Sequence, residues 1–107
     1  MNTREIDKLT QEALQLERIL ADANKFLEKA PEGTLQIKRH KQGVQYYHHI
    51  EPGDKNGIYI PKKNIKLVRA LAQKRYLLRI LPAAEEQLKS LKTCLNSYDP
   101  DAFKKSS

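Results

Sequence analysis

One cysteine, no tryptophan, four glycines and no long apolar run narrow what this 107-residue chain can do. A lone thiol, Cys94, cannot close an internal disulfide, and a chain without disulfides suits a reducing compartment. No apolar stretch approaches the roughly 18 residues needed to cross a bilayer, so a membrane partner is not expected. The first residues, Met1 to Asp7, are polar at once and lack a signal-peptide core, which makes cytoplasmic residence the expectation. The glycines (Gly33, Gly43, Gly53, Gly57) are scattered singly among turn signals, so none builds a phosphate-cradling loop. A nucleophile elbow is also missing. The expectation is a protein that is not an enzyme and needs no cofactor or small-molecule substrate.

Metal chemistry is short of ligands too. His48 and His49 are neighbours on a segment that reads as a strand, so they point to opposite faces and cannot grip one ion together. Cys94 lies far along the chain, beside Leu95 on an apolar stripe, where a packed thiol is the simpler reading. No metal site is expected.

Acidic residues are scarce in one place only. Residues 31–81 hold eleven Lys and Arg against three Asp and Glu, while the segments on either side are close to balanced. The whole net charge of +7 is therefore concentrated in the middle. A block of one sign on a small chain favours a polyanionic partner, with nucleic acid first and DNA ahead of RNA.

Hydrophobic spacing supplies the architecture. Ile6, Leu9, Ala13, Leu16, Leu20, Ala23 and Leu27 step alternately by three and four, the seam of a helix packed lengthwise on another. Thr3 reads as its N-cap, Leu14, Ile19 and Phe26 widen the stripe, and Pro31 with Gly33 end it. Residues 34–60 change to period two. Leu35 and Ile37, then Val44, Tyr46, His48 and Ile50, alternate with polar residues around a turn at His40–Gly43, and Ile58–Ile60 adds a short third strand. A second helix is expected over about 62–97, with Leu67, Val68, Leu71, Leu78 and Leu81 on its apolar side. A further seam runs Leu77, Leu81, Ala84, Leu88, Leu91 and Leu95; because it holds register across Pro82, one kinked helix is favoured over two.

The fold expected is α+β: an antiparallel, coiled-coil-like hairpin of long helices with a three-stranded antiparallel meander between them. Residues 1–98 form one domain and 99–107 a flexible tail. The seams can pack on each other within the chain, or on a second chain or partner helix; spacing alone leaves both open.

If Leu35, Ile37, Val44, Tyr46, Ile58 and Ile60 face a helix, the other sheet face shows Gln36, Lys38, Gln45, Tyr47, His49 and Tyr59. Cations neutralise phosphates, amides read base edges and rings stack on bases, so this set suits nucleic acid. The plainer reading is a cross-strand tyrosine pair that only stabilises the sheet. Lys41 at the turn extends the face. Lys62, Lys66 and Arg69, at helical spacing of four and three, with Lys63 beside them, form a stripe able to follow a phosphate backbone. Its alternative is an ordinary solvated surface, although such surfaces usually mix both signs and residues 55–84 carry no acid.

Three blocks carry a family likeness: Gly43-Val44-Gln45-Tyr46-Tyr47-His48-His49, Gly57-Ile58-Tyr59-Ile60-Pro61-Lys62-Lys63 and Ala70-Leu71-Ala72-Gln73-Lys74. Over most of residues 1–98 the chain resembles the N-terminal region of uncharacterised bacterial proteins, some of which continue into a segment similar to PD-(D/E)XK endonucleases. The resemblance includes no catalytic motif and ends where that segment begins. It therefore implies no nuclease activity here, and implies either a stand-alone short form or a fragment. Three strands followed by a helix is also similar in architecture to the arm-binding domains of tyrosine integrases, which lay an open sheet face into a DNA groove; the long helix ahead of the sheet departs from them. The function expected is a nucleic-acid-binding module; the alternative is a protein-interaction or oligomerisation module working through the heptad seams.

Overall fold

The computed structural model describes residues 3–53 and 55–98. The expected tail at 99–107 and the close of the second helix at Asp99-Pro100 lie outside the described residues. Helix α1 (Thr3–Lys29) leads into strands β1 (Thr34–His40), β2 (Gly43–His49) and β3 (Ile58–Ile60). A 3-10 turn (Lys62–Asn64) then opens helix α2 (Ile65–Tyr98). The fold is α+β: a helix, a three-stranded antiparallel meander in the order β1-β2-β3, and a long helix that packs against the first.

The described residues fall into two compact units, one from residues 3–25 with 80–98, the other from 26–53 with 55–79. In the first, the heptad seams meet within the chain. Ala13 and Leu95 are fully buried, with Ile6, Leu9, Leu88 and Leu91 packed around them. Full burial of a leucine such as Leu95 contributes about 1.5–3 kcal/mol, and the methyl of Ala13 correspondingly less. Lys92 Nζ reaches Glu17 Oε1 at 2.7 Å across the pair, a bridge about one-third exposed, of the kind that contributes about 0–1 kcal/mol. The stripe on α1 is narrower than its composition implies, since Leu14 (44% exposed) and Ile19 (45%) lie outside the core. Thr3 is the first residue of the helix rather than the cap ahead of it.

The second unit is a sheet laid on a helix. Leu35, Ile60, Val68 and Leu71 form its core, with Tyr46 and Leu67 against them. Leu71 is 1% exposed and is the anchor on the α2 side. Three strands are marginal alone, and it is this helix that makes the sheet's apolar face affordable. Leu78, expected on the apolar side of α2, is instead exposed, and Leu77 is buried beside it. Helix α2 runs continuously through Pro82. Proline has no N–H to offer the carbonyl four residues back, at Leu78, an exposed position where water can replace the missing donor.

The connection from α1 to β1 is held from two sides. Gly33 has φ +92, and a Cβ there would collide with the His49 carbonyl oxygen. Only glycine allows both that backbone conformation and that approach. The Lys74 ammonium, half-buried on α2, donates to the carbonyls of Pro31 at 2.9 Å and Gly33 at 3.0 Å.

Candidate nucleic-acid interface

Strand register sorts the side chains. Gln36 pairs with Tyr47 and Lys38 with Gln45, and Tyr47 in turn pairs with Tyr59. Paired residues share a face and alternate residues switch faces. One face therefore carries Thr34, Gln36, Lys38, His40, Gln45, Tyr47, His49 and Tyr59, and the other carries the core residues Leu35, Tyr46 and Ile60. The polar face expected from alternation is the face opposite the core.

Its side chains are tied into a network. Lys38 Nζ lies 4.4 Å from the centroid of the Tyr47 ring, and the Tyr47 and Tyr59 rings meet edge to face at 5.7 Å. The Tyr47 hydroxyl donates to Gln45 Oε1 at 3.2 Å. His40 Nε2 is 3.0 Å from the same oxygen, and His49 Nε2 is 2.6 Å from Gln36 Oε1. Contacts of this kind fix the directions of the rings and amides, which lowers the ordering cost of any ligand that uses them.

The cations fall into groups. Lys38 is half-buried over its tyrosine, whereas Lys41 is exposed in the two-residue hairpin turn with Gln42. Neither turn residue has positive φ; Gly43, at φ +139, makes that step instead. Lys62 and Lys63 are exposed on the 3-10 turn, so the argument from α-helical spacing holds only for Lys66 and Arg69, both exposed at the start of α2. The structure brings Lys62 to the sheet: a cleft of ≈ 330 Å³ is lined by Lys62, Tyr59, Gln45, His40, Gln42, Gly43 and Val44. Among the described residues, the strands themselves carry no acidic side chain at this end of the sheet. Residues 33–50 contain none, and Glu51 lines a depression with Gly33, Thr34 and His49, at the end opposite the turn.

Some features were hidden in the sequence. His40, which the sequence places in the turn, closes β1 on the open face, two residues beyond Lys38; extending the alternation by one step finds it. Arg39 is exposed on the other face, opposite Val44, so both sides of the hairpin end carry positive charge. Lys74, the next lysine along α2 after Lys66, is committed instead to two backbone carbonyls. His48 and His49 do point apart: His48 Nε2 lies 2.6 Å from the Glu32 carbonyl oxygen, whereas His49 meets Gln36.

Among the described residues, no group of three or more His, Cys, Asp or Glu is placed to hold a metal ion. Among the same residues, no helix is long and apolar enough to cross a membrane. Comparison with protein-family models, with curated proteins and with solved structures finds no match to this chain.

Proposed function

We propose that this protein is a non-enzymatic nucleic-acid-binding module that uses the open face of its meander and the cations at the hairpin end. The observation that carries this reading is the junction at the cleft. An exposed tyrosine, an oriented glutamine and an exposed lysine line one depression, with Lys41 exposed in the hairpin turn, Lys63 beside Lys62 on the 3-10 turn, and Lys66 and Arg69 exposed on the helix that follows. Each class of side chain has a counterpart in a nucleic acid: phosphate for the cations, base edge for the amide and base face for the ring. DNA is the preferred partner, with RNA second. A purely structural tyrosine pair explains the Tyr47–Tyr59 contact but not the concentration of exposed cations near it.

The test is fluorescence-anisotropy titration against labelled duplex DNA, single-stranded DNA and RNA over a salt series. Binding should weaken steeply with salt, because each phosphate neutralised by a cation releases counterions. The slope of log K against log salt is about −0.9 per contact on duplex and about −0.7 on single strands. Lys38→Ala combined with Tyr47→Ala should lower affinity while the far-ultraviolet circular dichroism stays that of the parent. Undiminished affinity in that double variant removes the sheet face, and no binding at low salt removes the proposal.

One observation favours a protein-interaction role as the second reading. The seam residues are used within the chain, but Ile19 is left exposed beside half-buried Leu16 in a depression shared with Glu12, Gln15 and Gln87. A partner helix would bury that edge. Sedimentation velocity over a concentration series tests self-association directly, and a single monomeric species at all concentrations excludes it.

A further inference from the structure

We infer that the cleft between the hairpin end and the 3-10 turn seats one unpaired nucleotide, so that the protein prefers single-stranded over duplex nucleic acid. The inference rests on the proposed function and goes further, in naming the form of the ligand and the side chains that hold one unit of it.

Size is the first argument. At ≈ 330 Å³ the cleft sits at the low end of sites that take small molecules, which suits a single nucleotide and not a duplex. The second is the available ring. Tyr59 is 48% exposed at the cleft, whereas Tyr47 beside it is enclosed by Lys38, Gln45 and Tyr59 itself. A base stacks on such a ring only when its own face is free, which pairing and stacking in a duplex prevent.

Hydrogen bonding adds a direction. Gln45 Oε1 is engaged by both the Tyr47 hydroxyl and His40 Nε2. That leaves the Gln45 amide nitrogen as the group turned to a ligand, a donor suited to the ring-nitrogen and carbonyl acceptors of a base edge. Gln42 lines the same cleft, and Lys62 places an ammonium there for the phosphate. The backbone also stops short at this point. Strand β3 pairs only with Tyr46–His48, so the edge of β2 over Gly43–Gln45 on the β3 side has no strand partner and its polar groups face the cleft. Lys41 and Lys63, exposed and each the sequence neighbour of a cleft-lining residue (Gln42 and Lys62), supply cations for the flanking phosphates of a continuing strand, which favours a strand over a free mononucleotide.

The experiment compares a labelled single-stranded oligothymidylate with a labelled duplex of equal length, using the full chain and three variants. The expected result is tighter binding of the single strand by the parent. Tyr59→Ala should weaken single-strand binding by roughly 5- to 150-fold, the range that base–aromatic stacking implies, and should change duplex binding far less. Tyr59→Phe should retain it. Should the alanine variant unfold, Lys62→Ala serves in its place, since Lys62 is exposed on the turn and its loss should weaken single-strand binding and lower its salt slope by about 0.7. Equal affinity for both probes, or single-strand binding indifferent to Tyr59→Ala in a folded variant and to Lys62→Ala, overturns the cleft while leaving the broader proposal intact. Displacement by thymidine monophosphate at concentrations comparable to those of the oligomer would reassign the cleft to free nucleotides. Failure of both probes to bind at low salt overturns the broader proposal as well.

Discussion

Replacing Lys74 by methionine separates a cation that holds the fold from those proposed to hold a ligand. Methionine keeps most of the aliphatic stem and removes the ammonium, which donates to the carbonyls of Pro31 and Gly33 at 2.9 and 3.0 Å. Hydrogen bonds involving a charged group contribute about 1.5–3 kcal/mol net. Here one half-buried ammonium serves two carbonyls in partial contact with solvent, so the lower part of that range applies and about 2 kcal/mol is expected. That loss lowers the folded-to-unfolded ratio by roughly 30-fold. With a urea slope of about 2 kcal/mol/M, common for small proteins, the midpoint falls by about 1 M. Urea titration followed by circular dichroism reads the shift directly. Nucleic-acid affinity, measured where the variant is still folded, should remain that of the parent. Lys66→Met is the crossed control: Lys66 is exposed, so its loss should move stability by less than about 0.5 kcal/mol and weaken binding. An unchanged urea midpoint for Lys74→Met would refute the structural role assigned to this ammonium. Weakened binding by a folded Lys74→Met would assign it to the interface.

Other perturbations address other parts of the argument. Gly33→Ala should destabilise the sheet unit by more than the roughly 1–2 kcal/mol that a left-handed conformation costs an L-residue, because the new methyl also meets the His49 carbonyl; thermal unfolding measures it, and a melting temperature equal to the parent's contradicts the close approach. Leu71→Ala, at a site 1% exposed, should cost about 2–5 kcal/mol in chemical denaturation, and a cost near zero would mean that the sheet does not depend on α2 for its core. Leu78→Ala, about two helical turns further on and 53% exposed, should cost far less in the same assay, and a penalty equal to that of Leu71→Ala would place Leu78 in the core after all.

Periodicity alone determined most of the architecture. Steps of three and four marked the seam residues of both helices, and alternation marked the two faces of the sheet, because each depends only on the geometry of its own segment. Thus Ala13 and Leu95 are buried where the seams place them, and Tyr47 and Tyr59 lie side by side where alternation places them. Fine boundaries were less legible: Leu14 and Ile19 are apolar yet exposed, since a two-helix pairing covers a narrow stripe. Tertiary structure decided which cations remain available. No local pattern distinguishes Lys74 from Lys66, because the carbonyls that hold Lys74 lie 41 and 43 residues earlier in the chain. The cleft belongs to the same class. It joins Lys62 to Tyr59, His40 and Gln45, and it forms because β3 stops at Ile60 while β2 continues to Gly43, a mismatch in strand length that only the paired strands reveal.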